Sequence, residues 1–187
     1  MKKYYLIVIF LVSSLFSQTY TSFLSVNQSG DRPKDLPGAW VDGSMGVGLL
    51  GISGGLDLNL SPDGDRIYRF SIFGDTEFVI LGQQTEGVVS FSFMEGHRMK
   101  RRWSRSDAGF GAGLVFGYHK GDIIGESPNW PHYTTYETDR FSTVGIVGSY
   151  KVIFKPVPFL GIGFQIYGCL NPEQPTVAVH FMLQVGD

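Results

Sequence analysis

Large apolar residues alternate with small or polar residues, with a period of two, along the C-terminal part of the chain. Between residues 159 and 168, the even positions up to Ile166 are large and apolar, whereas Gly161, Gly163 and Gln165 lie between them. Between residues 176 and 186, the odd positions are apolar throughout. Successive side chains of a strand point to opposite faces, so this alternation predicts β-strands and not helices.

The same alternation recurs upstream and predicts eight strands in all. We place them at residues 45–50, 56–60, 68–72, 88–93, 109–118, 143–154, 159–168 and 176–186. Residues 51–55 then form the first turn, and residues 61–65, with proline, aspartate and glycine, form the second. If residues 45–60 were instead one strand, the count would be seven. The stretch 119–139 is the longest predicted loop, and 155–158 is a very short connection.

Four of these segments, at 88–93, 109–118, 159–168 and 176–186, contain no Asp, Glu, Lys or Arg. A water-exposed surface is normally about 25–35% charged. Turning the apolar faces to lipid, and the Gly, Ser and Gln faces to a narrow lumen, removes this difficulty. The sequence therefore predicts an all-β protein, an antiparallel transmembrane β-barrel of eight strands. A soluble lipocalin-like carrier, with its apolar faces turned inward, is the alternative.

The N-terminus has the pattern of an export signal. Lys2 and Lys3 precede a short apolar run, and residues 1–17 are expected to be a cleaved signal peptide. Their removal takes away two lysines and no acid, which changes the formal net charge from −2 to −4 and argues against nucleic-acid binding. Residues 18–42, with Pro33 and Pro37, are predicted to be an irregular periplasmic segment, and residues 43–187 the barrel in the outer membrane.

The mature chain resembles the small outer-membrane β-barrel proteins of Gram-negative bacteria, with OmpA-like or OmpX-like eight-stranded architecture. The final hairpin carries much of the resemblance, from residues 158–163 through Asn171 to residues 184–186. The chain departs from the pattern at Asp187, where many such barrels end in an aromatic residue, and its nearest aromatic residue is Phe181. The resemblance implies the fold and an outer-membrane location, and it carries over no catalytic residues.

Two groups of residues are candidates for function. Trp130, His132, Tyr133 and Tyr136 lie in the long predicted loop, where they could recognise a ligand or protein or form the aromatic girdle of the barrel rim. Alternation places Asp57, Arg69 and Lys151 on inner faces, where an unpaired charge would be costly. We therefore expect the second group to form a charge network in the lumen.

The basic run at 97–105 is predicted to be a solvated turn, with a site for anionic head groups as its alternative. The four histidines show no paired spacing, and Cys169 is the only cysteine, so no metal site or cofactor is predicted.

Three functions remain open. The first is a non-enzymatic barrel with a structural or surface-interaction role through its external loops, whose partners would be outer-membrane lipid and a surface ligand. The second is a lipid-modifying enzyme, for which Ser53, His180 and Glu77 are the candidates. Residues 51–55 match G-x-S-x-G, but no helical pattern follows them as that hydrolase motif requires. The third, a small-solute pore, is disfavoured because eight strands leave little aqueous space.

Overall fold

A computed structural model describes residues 38–78, 85–100, 104–126, 134–157 and 159–186. Within these ranges the chain forms one closed barrel, in which each strand pairs antiparallel with its neighbours in sequence and the last pairs with the first. The strands are β1 (Gly38–Gly48), β2 (Gly51–Ser61), β3 (Arg66–Glu77), β4 (Gly87–Lys100), β5 (Ser104–Glu126), β6 (Thr134–Val157), β7 (Leu160–Leu170) and β8 (Thr176–Gly186). The predicted eight-stranded antiparallel barrel is confirmed.

The first hairpin differs from the prediction. β1 begins at Gly38, so residues 38–42 are strand and not part of an irregular segment. The turn consists of Leu49 and Leu50, whereas the predicted turn at 51–55 belongs to β2. A Cβ at Gly51 would lie 2.7 Å from the backbone nitrogen of Phe78, so this glycine permits close approach of β3. Glycine that serves strand packing was mistaken for glycine that serves a turn.

The prediction of an unstructured loop over residues 119–139 was wrong for 119–126 and 134–139, and residues 127–133 lie outside the described ranges. β5 continues to Glu126 and β6 begins at Thr134, and the two strands stay paired along this stretch. His119 lies opposite Asp139, and the register shifts on either side of Ile123. The apolar alternation stops here although the hydrogen-bonded ladder continues, which is why the sequence pattern did not predict these strands.

On every strand, one alternate set of apolar residues points outward. Phe110, Leu114, Phe164 and Phe181, for example, are all more than half exposed. The residues between them face the barrel interior, where Ser90, Gln165, His180 and Gln184 are buried. This arrangement is the reverse of a lipocalin-like barrel and suits a surrounding of lipid. Within the described ranges, no helix is long and apolar enough to cross a membrane.

The turn between β2 and β3 matches its prediction. Oδ1 of Asp63 accepts hydrogen bonds from the backbone N–H groups of Arg66, at 2.8 Å, and Asp65, at 3.3 Å. These bonds stabilise the charged carboxylate, and the bond from Arg66 is the main reason that the pKa of Asp63 is lowered. Gly64 follows with a φ of +83°, a conformation that favours glycine.

The barrel interior has two levels. Towards the end that holds β1's first residue and β8's last, called here the terminal end, the interior is mainly charged and polar. Towards the opposite end, called the hairpin end, an apolar cluster fills it. In that cluster the rings of Phe73 and Tyr167 stack with centroids 4.0 Å apart, and the Tyr167 hydroxyl hydrogen-bonds with the Ser90 hydroxyl at 2.8 Å. Cys169 is buried in the same cluster.

Candidate functional site: the lumenal charges and the projecting hairpin

Lys151 is the centre of the first charge cluster in the lumen. It lies on β6, and its Nζ is 2.5 Å from Oδ2 of Asp42 on β1 and 2.5 Å from Oδ2 of Asp57 on β2. All three residues are buried. Gln165 on β7 donates to the same oxygen of Asp57 at 3.4 Å. The ammonium group thus holds together strands from opposite sides of the barrel.

Arg69 joins this cluster to a second one. Its Nε donates to Asn59 Oδ1 at 2.7 Å, and Asn59 in turn donates to Asp42 Oδ2 at 2.9 Å. Its Nη1 donates to the hydroxyl of Ser149, and its Nη2 is 3.9 Å from Asp107 Oδ2. The structure therefore pairs Lys151 directly with Asp57, and links Arg69 to them through Asn59 and Asp42.

Trp40 contacts two arginines at the terminal end of the lumen. The guanidinium carbons of Arg98 and Arg105 are 3.9 Å and 4.5 Å from the centre of its ring system. Nε of Arg105 is 3.2 Å from Asp107 Oδ1, and Arg105 Nη2 donates to Gln184 at 2.9 Å. Buried cation–π pairs of this kind are worth about 2 kcal/mol or more when desolvated.

Lumenal positions for Arg98, Arg105 and Asp42 were not predicted from the sequence. Arg98 and Arg105 belong to the basic run, and both are buried in the lumen, so for them neither a solvated turn nor a head-group site is correct. Asp42 was assigned to an irregular segment. A signal did exist on β5, because Arg105 and Asp107 continue the inward-facing series of odd-numbered glycines from Gly109.

Glycines provide the space that the charged side chains fill. A Cβ at Gly109 would lie 3.3 Å from Nη1 of Arg69. At Gly111 the backbones themselves are close, because a Cβ there would lie 1.9 Å from the carbonyl oxygen of Phe93. The glycine-rich inner face of β5 is thus matched to large side chains on the facing strands.

His180 forms a hydrogen-bonded pair with Ser53. Its Nε2 is 2.8 Å from the Ser53 hydroxyl, its Nδ1 is 3.1 Å from the Ser44 hydroxyl, and its ring stacks on Phe73. Glu77 instead accepts hydrogen bonds from Thr85. The structure therefore brings together two of the three candidate catalytic residues. Ser53 and His180 are both buried in the lumen, away from the lipid that a lipid-modifying enzyme would have to reach.

The β5–β6 hairpin projects beyond its neighbours. β5 last pairs with β4 at Tyr118, and β6 last pairs with β7 at Ile146, yet β5 and β6 remain paired as far as Glu126 and Thr134. We call residues 119–126 and 134–145 the projecting hairpin. Its part of β5 is about 26 Å long, at 3.3 Å per residue.

Of the aromatic residues proposed for recognition, Tyr136 lies on this hairpin, and Nζ of Lys120 is 3.7 Å from the centre of its ring. Trp130, His132 and Tyr133 are outside the described residues, as are the signal peptide expected at 1–17 and the segment 18–37. Among the residues that the structure describes, no group of three or more His, Cys, Asp or Glu is placed to hold a metal ion.

Solved structures show which fold this is. The chain is similar to the N-terminal β-barrel domain of Pseudomonas aeruginosa OprF, with a TM-score of 0.55 and 7% identity over 83% of this chain and 100% of that one. It is similar to Ail, the attachment invasion locus protein of Yersinia pestis, with a TM-score of 0.51 and 12% identity over 81% and 97%. It is also similar to Neisserial surface protein A, with a TM-score of 0.50 and 10% identity over 80% of this chain and 94% of that one.

No protein-family model matches the sequence, and the search of curated proteins found no match either. The structural likeness, at such low identity, establishes the fold: an eight-stranded transmembrane β-barrel of the small OmpA-like and OmpX-like type. Barrels of this fold sit in the lipid bilayer of the outer membrane, which supports that location for this chain.

Proposed function

We propose that this protein is a non-enzymatic outer-membrane barrel that interacts with other molecules at the cell surface through its projecting hairpin. The observation that carries the proposal is the continued pairing of β5 with β6 after both strands have lost their other neighbours. Among the residues that the structure describes, no other strand pairs with the two outer edges of this hairpin, which leaves their backbone N–H and C=O groups for a partner. Exposed edges are sites of strand addition, in which an extended segment of another protein joins a sheet.

The connections at the two ends support an outward direction for the hairpin. At the terminal end, the connections are residues 62–65, 101–103 and 158–159. At the hairpin end they include the longer stretches 78–86 and 127–133. Outer-membrane barrels have short periplasmic turns and longer external loops. The hairpin end is therefore proposed to face the cell exterior, with Trp130, His132, Tyr133 and Tyr136 on or next to the projecting hairpin.

The side chains of the hairpin suit contact with protein. Ile123 and Ile124 are 57% and 66% exposed, and they lie beyond Tyr118, the last residue of β5 that pairs with β4. Exposed neighbouring apolar residues outside a membrane are typical of protein contacts. Ail, which shares the fold, is named for attachment and invasion. That name supports a surface-interaction role as part of the proposal.

Shortening the hairpin tests the proposed function. Lys120 and Thr138 lie directly opposite each other, so residues 121–137 can be replaced by Asn-Gly, which forms a two-residue hairpin turn. Cells exporting the wild-type protein should adhere to immobilised fibronectin, laminin or collagen more strongly than cells without it. The shortened variant should lose this gain and keep the heat-dependent gel mobility of a closed barrel.

A matched change at the other end provides the control. Asp63→Asn alters an exposed turn at the terminal end and should leave adhesion unchanged. Adhesion of the shortened variant at the wild-type level would contradict the proposed role of the hairpin. Replacing only Ile123 and Ile124 by Asp then separates side-chain contact from strand addition, because it leaves the backbone edges in place.

A further inference from the structure

Two serine hydroxyls contact the ring nitrogens of His180 and determine which nitrogen carries the proton. The Ser44 hydroxyl donates to the carbonyl oxygen of Gly55 at 3.4 Å, so its oxygen accepts from Nδ1 of His180 at 3.1 Å. Nε2 of the neutral ring is then an acceptor, and the Ser53 hydroxyl donates to it at 2.8 Å. The single hydroxyl proton of Ser53 is therefore directed at His180.

A buried carboxylate, that of Asp75, lies across the strand pair from Ser53. The two residues are directly opposite each other in the pairing of β2 with β3, and both are buried in the barrel interior. Opposite residues have Cβ atoms about 4.5–5.5 Å apart, a distance that a serine hydroxyl and a carboxylate can bridge. Among the residues that the structure describes, none forms a hydrogen bond with Oδ1 of Asp75. A buried acceptor in this situation is costly.

The same carboxylate contacts the turn between β1 and β2. Oδ2 of Asp75 accepts a hydrogen bond from the backbone N–H of Leu50 at 3.3 Å. The carboxylate fills the space beside Gly48, where a Cβ would collide with it. On its other side, the turn is bound to β8, because the N–H of Leu49 donates to the carbonyl oxygen of Val177 at 3.1 Å. The position of the turn therefore depends on the Asp75 carboxylate.

A proton on His180 reverses its hydrogen bond with Ser53. Both ring nitrogens of an imidazolium are donors, so Nε2 then donates to the Ser53 oxygen, and the Ser53 proton turns to another acceptor. Oδ1 of Asp75 is an acceptor directly across the strand pair. Histidine is the side chain whose ordinary charge change falls between about pH 5 and 8. The reversal is therefore expected on mild acidification.

The charged groups near His180 are mostly acidic. Asp57 on β2 and Lys151 on β6 interact electrostatically with the ring, and Asp42 on β1 is bound to Lys151. β3 contributes Asp75, on the far side of Ser53. Among the described residues, these neighbours are three carboxylates and one ammonium. A proton on His180 therefore does not add to an excess of positive charge.

We propose that His180, Ser53 and Asp75 form a proton-controlled hydrogen-bond relay that fixes the β1–β2 turn when the pH falls. While His180 is neutral, Ser53 donates to the ring and Asp75 accepts from Leu50 through one oxygen. Once His180 is protonated, Ser53 donates to the other oxygen of Asp75 and holds the carboxylate against the turn. The relay lies inside the barrel, so its action does not depend on which end faces the cell exterior.

An NMR titration of the protein in detergent micelles tests the relay. The ring nitrogens of His180 and the amide of Leu50 are followed from pH 8 to pH 5. Both should shift with one common midpoint. Hydrogen exchange of the Leu50 amide, corrected for its intrinsic pH dependence, should become about fivefold slower below that midpoint, as expected when one hydrogen bond is strengthened.

Two serine variants separate the relay from a general effect of lost hydroxyls. In Ser53→Ala the His180 ring should still titrate, but the Leu50 amide should no longer shift at the same midpoint. Ser90→Ala is the matched control, because it removes another buried hydroxyl, one that bonds with Tyr167, and should leave the common midpoint in place. Heat-dependent gel mobility confirms that each variant is a closed barrel.

His180→Gln distinguishes the relay from titration of Asp75 alone. The Leu50 shift should be absent in this variant between pH 8 and pH 5. A Leu50 shift with its wild-type midpoint in His180→Gln or Ser53→Ala would overturn the relay, because Asp75 would then titrate by itself. In the wild type, different midpoints for His180 and Leu50, or a His180 ring that does not titrate in this range, would overturn it whatever the variants do.

Discussion

Lys151 and Asp57 are 94 residues apart in the sequence, and their charged groups lie 2.5 Å apart in the barrel lumen. One is on β6 and the other on β2, which are four strands apart in a ring of eight. The net stabilisation from a buried ion pair is the attraction between its charges minus the cost of removing both charges from water. Here the two charges also fix which inner faces meet across the lumen.

Removing the cation should be costly because it leaves carboxylates unpaired. Lys151→Met keeps the volume of the side chain but leaves Asp42 and Asp57 buried without their ammonium partner. We expect a loss of about 3–5 kcal/mol in the free energy of unfolding. Urea unfolding of the protein in lipid vesicles, followed by the heat-dependent mobility shift, measures it.

Neutralising the acids provides the control for this experiment. Adding Asp42→Asn and Asp57→Asn to Lys151→Met should recover most of the lost stability, because the two carboxylates that Lys151 neutralised are then uncharged. The exposed Arg66→Gln change should have little effect, since its ion pair with Glu95 is at the surface. If Lys151→Met unfolds at the wild-type urea concentration, Lys151 does not stabilise the barrel.

The close approach of β4 and β5 predicts a difference between two glycines. Gly111→Ala would place a Cβ 1.9 Å from the carbonyl oxygen of Phe93, so a backbone would have to move. We expect it to cost about 1–3 kcal/mol or more. Gly43→Ala meets no atom within 4 Å and should be neutral or slightly stabilising. Thermal unfolding of both variants in the same detergent makes the comparison, and equal losses would contradict it.

The number of strands, their antiparallel order and their two faces could all be predicted from the sequence. Strands β7 and β8 show why, because lipid and lumen impose opposite requirements on alternate residues. The alternation did not predict a strand where the chain is no longer between lipid and lumen. Residues 119–126 of β5 project beyond the apolar band, so nothing there selects apolar residues at every second position. The backbone pairing with β6 continues without a signal in side-chain type.

The candidate site could be predicted only in part. Alternation placed Asp57, Arg69 and Lys151 on inner faces. An odd or even position within one strand does not show which residues of other strands lie at the same level along the barrel axis. That depends on the register around the whole ring. Arg98 and Arg105 were obscured by the basic run between them, because a dense run of cations is typical of exposed turns. Only the closed barrel brings both of them against the ring of Trp40.

The hydrogen bond between Ser53 and His180 invites a test for enzymatic activity. The pair is buried in the lumen, and the Nδ1 atom of His180 faces Ser44 and not a carboxylate. We expect no adduct on Ser53 when the folded protein is treated with a fluorophosphonate probe and analysed by mass spectrometry, with a serine hydrolase as positive control.

The same residues should instead contribute to stability. Ser53→Ala should cost about 0.5–1.5 kcal/mol, the usual contribution of one hydrogen bond. An adduct on Ser53 that disappears in His180→Ala would contradict the structural role. It would make the lipid-modifying enzyme the better-supported function.

Arg98 and Arg105 both contact Trp40 and both lie near the carboxylate of Asp107. The size of the Trp40 side chain and its aromatic ring should therefore both affect stability. Trp40→Ala removes a large buried side chain that contacts Arg98 and Arg105 and should cost about 3–5 kcal/mol. Trp40→Phe keeps an aromatic face for the guanidinium groups and should cost less. Unfolding in urea at low and high salt tests whether repulsion between the two arginines contributes to the loss. If it does, high salt should partly restore the stability of Trp40→Ala, because ions that enter the opened lumen screen this repulsion. Equal losses for the Ala and Phe variants would show that the cation–π contacts contribute nothing measurable.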